Sequence, residues 1–164
     1  MAKMRPLSDP ELLAYSREHL RYELWMFLRL GGYLPEIPTL RNEHEKVVYN
    51  ALIEAFVVHL RNLIGFLYPD RFTPFDVIAG DFFSDPNGWD EIRPRISSTL
   101  QGARDRAHRE IAHLTTARIA GMPPKKAWPL SSLIPEVKVL MRLFADHASP
   151  QRLHPLIKEL LSGP

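Results

Sequence analysis

The side chains best suited to chemistry lie in a basic segment from Arg104 to Thr115, which the apolar spacing predicts to be helical. Four of them share one face of that helix, at relative positions 0, 3, 4 and 7: Arg106, Arg109, Glu110 and His113. A guanidinium, a carboxylate and a titratable imidazole on one face can bind a phosphate and move a proton. The pattern is therefore compatible with a phosphate-binding surface, on which Arg106 and His113 are separated by about 10 Å along the helix axis.

The same residues also have a structural interpretation. Glu110 can pair with Arg106 one turn away, and His113 can be hydrogen-bonded inside a helical bundle. Two further polar residues, Arg61 and Asn62, stand together in a different apolar segment. They could orient His113, or they could form a polar patch where the buried segment ends, and the structural role is favoured.

Histidines and glutamates could also hold a metal ion inside a bundle, and the candidates are His44, Glu54, His59, His108 and His113. Glu54 and His59 are five residues apart, which turns them away from a common helix face. His59 is better interpreted as a core histidine with its hydrogen bonds satisfied. We therefore predict neither a metal nor another cofactor.

The segment from Val47 to Leu67 organises the predicted fold, because it is the most apolar stretch and carries apolar residues on opposite faces of a helix. A helix of this kind is buried from several sides, so Leu52, Phe56 and Leu63 are expected to be fully buried. Four polar side chains inside it argue against a membrane span, and no membrane partner is predicted: Glu54, His59, Arg61 and Asn62.

Capping signals, glycines and prolines place the other helices. The first predicted helix runs from a Ser8 cap to about Leu30 and is ended by Gly31-Gly32, and the second runs from near Thr39 to Tyr68. A connection over residues 69–90 with one short helical turn leads to the third helix, from about residues 93–96 to Ile119. The fourth runs from a cap at Ser131 or Ser132 to about His147, with Pro135 in its first turn, and a last helix runs from about Pro150 to Leu161. The predicted class is all-α: a four-helix up-and-down bundle with a long insertion between helices two and three and a short C-terminal helix.

The bulk composition predicts one soluble domain spanning residues 1–164. The chain has no cysteine, which excludes disulfides and thiolate chemistry, and its N-terminus lacks the apolar core of a signal peptide, so a cytoplasmic location is expected. The formal net charge is +2, yet residues 92–118 hold six arginines against Asp105 and Glu110, a local balance of +4. Such a segment suits an anionic or nucleic-acid partner, or else a solvated helix face.

Arg106 and His113, with six residues between them, fit the R-x4–6-H pattern of the HEPN superfamily (higher eukaryotes and prokaryotes nucleotide-binding). The chain resembles HEPN-like bacterial proteins over roughly residues 45–145. Three segments carry the resemblance beside the motif itself: residues 50–64 of the central helix, residues 76–83 and residues 110–115. The superfamily consists of small all-α bundles, many of them toxins, abortive-infection proteins or other components of phage defence.

This resemblance implies a metal-independent endoribonuclease that uses the RNA 2′-hydroxyl as nucleophile. His113 would be the general acid or base and Arg106 would stabilise charge on the phosphate, while the substrate would be bound by Arg104, Arg109, Glu110, Arg61 and Asn62. It also implies a homodimer with the motif face at the interface. The alternative is a non-catalytic dimeric interaction module, such as the partner of an antitoxin.

Overall fold

The computed structural model describes residues 6–37, 42–70, 73, 75–111 and 127–163. Helices make up 74% of the structure, and no strand occurs among the described residues, so the predicted all-α class is confirmed. The helices pack as a bundle that carries short helical connections.

The described residues form six α-helices. Helix α1 joins Asp9–Tyr15, a π-helical segment Ser16–Leu20 and Arg21–Tyr33; the others are α2, Glu43–Leu67; α3, Gly88–Ile92; α4, Ser98–Glu110; α5, Leu130–His147; and α6, Leu156–Ser162. Short 3-10 helices occupy Leu34–Glu36 and Ala79–Phe82.

Side-chain caps explain three of the helix starts. The carboxylate of Glu11 accepts hydrogen bonds from the backbone N–H and the hydroxyl of Ser8 at 2.8 and 2.6 Å, as the capping signal predicts. The side chain of Asn42 accepts from Glu45 N at 2.9 Å, so α2 begins just after the predicted start, which itself lies outside the described residues. Ser97 Oγ accepts from Leu100 N at 3.1 Å and starts α4.

The predicted end of the first helix at Gly31-Gly32 is wrong, because α1 continues through both glycines to Tyr33. Gly31 is buried, and a Cβ placed on it would lie 2.7 Å from Ile134 Cδ1 and 3.4 Å from Phe56 Cε2. The missing side chain at Gly31 therefore lets α5 approach α1 closely, and the residue is a packing position rather than a helix end.

Two other boundaries differ from their predictions. Helix α5 begins at Leu130 without a side-chain cap, because the carbonyl of Pro129 accepts the first bonds, and Pro135 consequently lies in the second turn. Helix α6 begins at Leu156 because the chain after Ser149 first forms a turn, in which Leu153 N donates to Ser149 O at 3.0 Å. The predicted end of the third helix near Ile119 lies outside the described residues.

Helix α2 is the centre of the bundle and packs against α1, α4 and α5. Phe56 and Phe27 stack between α2 and α1 with ring centroids 5.1 Å apart, and both are fully buried. The connection between α2 and α4 covers the C-terminal end of α2, where Trp89 Nε1 donates to Leu67 O at 2.7 Å. Its Phe82 is fully buried, which confirms the predicted helical turn against the bundle.

Burial along α2 is uneven. Phe56 and Leu63 are buried as predicted, but Leu52 is only half-buried, and Val47 remains 65% exposed. The prediction of full burial is therefore wrong for Leu52, because α2 extends beyond its neighbours at its N-terminal end.

Helix α2 is also long and apolar enough to cross a membrane, judged by length and composition alone. Of the apolar 18-residue stretch that meets this criterion, 33% is buried inside the bundle.

Replacing Phe56 by alanine tests this description of the core. Phe56→Ala leaves a cavity between α1 and α2, so the free energy of unfolding should fall by about 3–5 kcal/mol. The matched Val47→Ala removes an exposed side chain from the same helix and should change it by less than about 0.5 kcal/mol. Urea denaturation of both variants measures the difference, and equal losses would contradict the assigned burial.

Candidate nucleic-acid interface

A groove of about 910 Å³ runs along the outward face of the C-terminal half of α2. Helix α1 and residues 75–78 line one side, and α4 lines the other. The groove contains four of the seven residues predicted for the site: Arg61, Asn62, Arg104 and Arg109. His108 lies beside them. The arginine of α2 and the arginines of α4 therefore belong to one surface.

Helix α4 presents these side chains because its opposite face is buried. Leu100, Ala103 and Ala107 are packed into the bundle at helical spacing. The residues of the groove side stand at relative positions 0, 1, 4 and 5, one polar face of the helix: Arg104, Asp105, His108 and Arg109.

Arg104 is held in place by three contacts. Its guanidinium donates to Tyr68 O at 3.1 Å and to Gln101 Oε1 at 2.6 Å, and it pairs with Asp70 at 2.8 Å. Its Nε atom is buried and finds no acceptor among the described residues. Arg104 therefore joins α4 to the end of α2, and Asp70 compensates much of its charge.

Arg61 and Asn62 form the floor of the groove and have different surroundings. Asn62 Nδ2 donates to Glu23 Oε2 of α1 at 3.1 Å, which places it in a polar patch with α1 rather than against α4. Arg61 is exposed and makes no hydrogen bond or ion pair with the described part of the chain. Its guanidinium is thus available to a ligand in the groove.

The Glu23 carboxylate also lies 2.7 Å from the Nδ1 atom of His59. Because a carboxylate only accepts, the imidazole donates this bond. His59 is 8% exposed and its ring meets the edge of Tyr22 at 5.6 Å. The interpretation of His59 as a satisfied core histidine is confirmed.

The α1 side of the groove is acidic. Burial raises the pKa of the Tyr15 hydroxyl, and the nearby carboxylates of Glu23 and Asp76 raise it further, so Tyr15 stays neutral at physiological pH. Tyr15 directly precedes the π-helical segment Ser16–Leu20, a widened turn of the kind that recurs at functional sites. The groove as a whole contains three arginines and four carboxylates, which are Glu23, Asp70, Asp76 and Asp105.

Arg106 and Glu110 lie outside this groove. Arg106 Nε donates to Glu110 Oε2 at 2.9 Å, Nη1 donates to Ala127 O at 3.1 Å, and the guanidinium stands 4.1 Å above the Trp128 ring. A smaller cavity of about 310 Å³ adjoins this contact and is lined by Gly102 among others. The pairing of Arg106 with Glu110 agrees with the structural interpretation of these residues.

His113 lies outside the described residues, so its pairing with Arg106 stays a prediction. Among the residues that the structure describes, no three histidine, aspartate or glutamate side chains come together as a metal site.

Sequence reasoning did not find Tyr15, Glu23, Asp76 or His108 as members of the site. Tyr15 and Glu23 come from α1, and Asp76 from the connection between α2 and α4, so only tertiary packing brings them to Arg61. His108 carried a local signal, because it follows Arg104 by one helical turn.

Comparisons with known proteins add no relative to this description. No protein-family model, no curated protein and no solved structure matches the chain. The resemblance to the HEPN superfamily therefore stays a prediction from the sequence.

The different surroundings of Arg106 and Arg61 predict different effects on stability. Arg106→Ala removes an ion pair and a cation–π contact that are only partly exposed, so it should lower the free energy of unfolding by about 1–2 kcal/mol. Arg61→Ala removes an exposed guanidinium and should change it by less than about 0.5 kcal/mol. Thermal denaturation of both variants measures the difference. A larger loss of stability in Arg61→Ala than in Arg106→Ala would contradict the structural role assigned to Arg106.

Proposed function

We propose that this protein binds RNA and holds an unpaired strand in the groove between α1, α2 and α4. The observation that supports the proposal is the meeting of Arg61 with Arg104 and Arg109, from two helices, in one surface concavity. Guanidinium groups bind phosphate oxygens through several hydrogen bonds at once, and they are the side chains most used for this purpose.

The size of the groove favours a short stretch of unpaired strand. At about 910 Å³ it is at the upper end of the range for small-molecule sites, so it accommodates a few nucleotides. Unpaired bases are also the part of RNA that proteins recognise most readily, because their edges and faces are accessible.

The acidic side chains limit how much of the affinity is electrostatic. With four carboxylates near three arginines, only the guanidinium groups that face the strand can replace counterions on the phosphates. Arg61 is assigned this role first, with Arg109 lining the same groove, while Arg104 is engaged with Asp70 and joins α4 to the end of α2. The proposal therefore involves few phosphate contacts and a shallow dependence on salt.

Cleavage of RNA at the Arg106–His113 motif is a second and separate part of the proposal, because Arg106 lies outside the groove. Its support is the resemblance described from the sequence. The RNA 2′-hydroxyl attacks the adjacent phosphorus, the 5′-oxygen leaves, and the products are a 2′,3′-cyclic phosphate and a 5′-hydroxyl. His113 moves the proton and Arg106 stabilises the phosphate charge. The site is assembled in a homodimer, where a second copy supplies a second motif.

A second candidate function is a non-catalytic interaction module with a protein partner, such as an antitoxin. The observation that favours it is a row of exposed aromatic side chains on α1: Tyr22 is 51% exposed, Trp25 40% and Tyr33 56%. Tryptophan and tyrosine dominate the energetics of protein interfaces. A wild-type protein that binds a protein partner but no RNA would favour this candidate.

The RNA-binding proposal predicts a selective effect of Arg61→Ala. Arg61→Ala should weaken the binding of a short unpaired RNA roughly tenfold, because the variant loses a charge-assisted hydrogen bond to the RNA. Two or three phosphate contacts give a slope of log affinity against log salt of about −1.4 to −2.1, and the variant should lose about 0.7 of it. Arg29→Ala removes an exposed arginine of α1 that does not line the groove, and it should have little effect. Fluorescence anisotropy over a salt series measures both, and equal weakening by the two variants would contradict a defined groove.

The cleavage proposal predicts that a mixed RNA pool acquires 2′,3′-cyclic phosphate ends in the presence of EDTA. His113→Ala should lower the rate by about 10²–10⁴ through loss of the general acid–base. His147→Ala, which alters an exposed histidine of α5, should leave it unchanged. Because Arg106 also stabilises the fold, Arg106→Ala is informative only when denaturation and sedimentation show a folded dimer. Undiminished cleavage by His113→Ala would eliminate this assignment.

A further inference from the structure

The two sides of the groove differ in charge. The side formed by α1 and residues 75–78 contributes Glu23, Asp76 and the neutral Tyr15, and no arginine or lysine. The floor and the α4 side contribute all three arginines together with Asp70, which pairs with Arg104, and Asp105, which accepts a hydrogen bond from Gln101. A ligand that satisfies both sides must carry an anionic group at one end and hydrogen-bond donors at the other. An unpaired nucleotide has this character, with its phosphate at one end and its base at the other.

We propose that the acidic side of the groove selects the base, that the preferred base is guanine, and that Asp76 is the residue that determines this specificity. This inference rests on the proposed RNA-binding function and assigns the base to that same site. On its Watson–Crick edge guanine presents two adjacent donors, N1–H and the 2-amino group, which match the two oxygens of a carboxylate. Adenine and cytosine present one amino group, and uracil presents a single N–H between two carbonyls that a carboxylate repels.

The surroundings of the two carboxylates distinguish their roles. Glu23 is 28% exposed, and its Oε2 atom already accepts hydrogen bonds from His59 and Asn62. Asp76 is exposed at the rim, and its Oδ2 atom accepts the backbone N–H of Thr73, which fixes the side chain without burying it. Glu23 therefore holds the helices together, whereas Asp76 keeps acceptor capacity for a base.

Tyr15 supports the same placement. Tyr15, Glu23 and Asp76 all line the groove, and both carboxylates contribute to the raised pKa of the Tyr15 hydroxyl. The neutral hydroxyl can donate to a base carbonyl, such as O6 of guanine, while a carboxylate accepts from the neighbouring N1–H. This arrangement complements guanine better than any base whose carbonyls flank its only ring donor.

The experiment measures the binding of short labelled oligouridines that carry one central guanosine, adenosine, cytidine or uridine. Wild type should bind the guanosine oligomer about tenfold more tightly than the uridine oligomer, the discrimination expected of a bidentate contact. Asp76→Asn keeps an acceptor for Thr73 N but replaces one oxygen by a donor, so the preference should fall to about twofold or less. Asp146→Asn changes an exposed carboxylate of α5 outside the groove and should retain the preference.

The outcomes separate this inference from the function on which it rests. No binding of any oligomer by wild type would overturn the RNA-binding proposal together with this one. Binding of all four oligomers with equal affinity would overturn the guanine preference and leave RNA binding in place. A guanine preference that persists in Asp76→Asn would overturn the assignment to Asp76. A preference that is lost in Asp76→Asn and kept in Asp146→Asn would support the assignment.

Discussion

The contact on which the groove depends is the carboxylate of Glu23 between α1 and α2. It accepts hydrogen bonds from His59 and Asn62, which are three residues apart and so lie on one face of α2. A histidine that is almost entirely buried needs such a partner, because leaving its N–H unpaired would cost about 1–3 kcal/mol. The pairing fixes α1 along α2 where the groove begins. Arg61 is thereby left on the groove floor, turned away from the buried seam.

Helix α4 uses its arginines in two ways. Arg106 turns towards Glu110 and Trp128 and fastens α4 to the chain that leads into α5. Arg104 and Arg109 turn to the opposite edge of the same helix and line the groove. The basic character of this segment in the sequence thus combines a structural and a ligand-facing role, and only the packing of α4 assigns each arginine to one of them.

Local patterns predicted much of the fold. The Ser8 cap, the burial of Phe56 and Leu63 on α2 and the core position of His59 were predicted from patterns within a few residues, and all three are confirmed. Gly31 was misassigned because its role is set by Ile134, about a hundred positions away in the chain. Burial at Leu52 was overestimated because periodicity shows which face is apolar but not how far the neighbouring helices extend.

The groove was predictable only in part, because it also depends on residues that are distant from one another in the sequence. Arg104 and Arg109 lie in a basic segment that is visible in the sequence, whereas Arg61 is a single arginine in an apolar segment and was a binding candidate only through the resemblance. Their acidic counterparts, Glu23 and Asp76, come from elements that meet α2 only in the folded chain, and no local pattern marks them. The result is a groove with one side that carries carboxylates and no arginine or lysine, whereas the sequence alone showed only the basic segment.

The most direct test of the account is to observe the arginine side chains themselves during an RNA titration. Nuclear magnetic resonance of the Nε–H groups, assigned with single arginine-to-lysine variants, distinguishes each guanidinium. The account predicts that the signals of Arg61 and Arg109 shift on addition of an unpaired RNA, while that of Arg29, exposed on α1 outside the groove, does not. Shifts confined to Arg29, or shifts of equal size in all exposed arginines, would contradict a binding site in this groove.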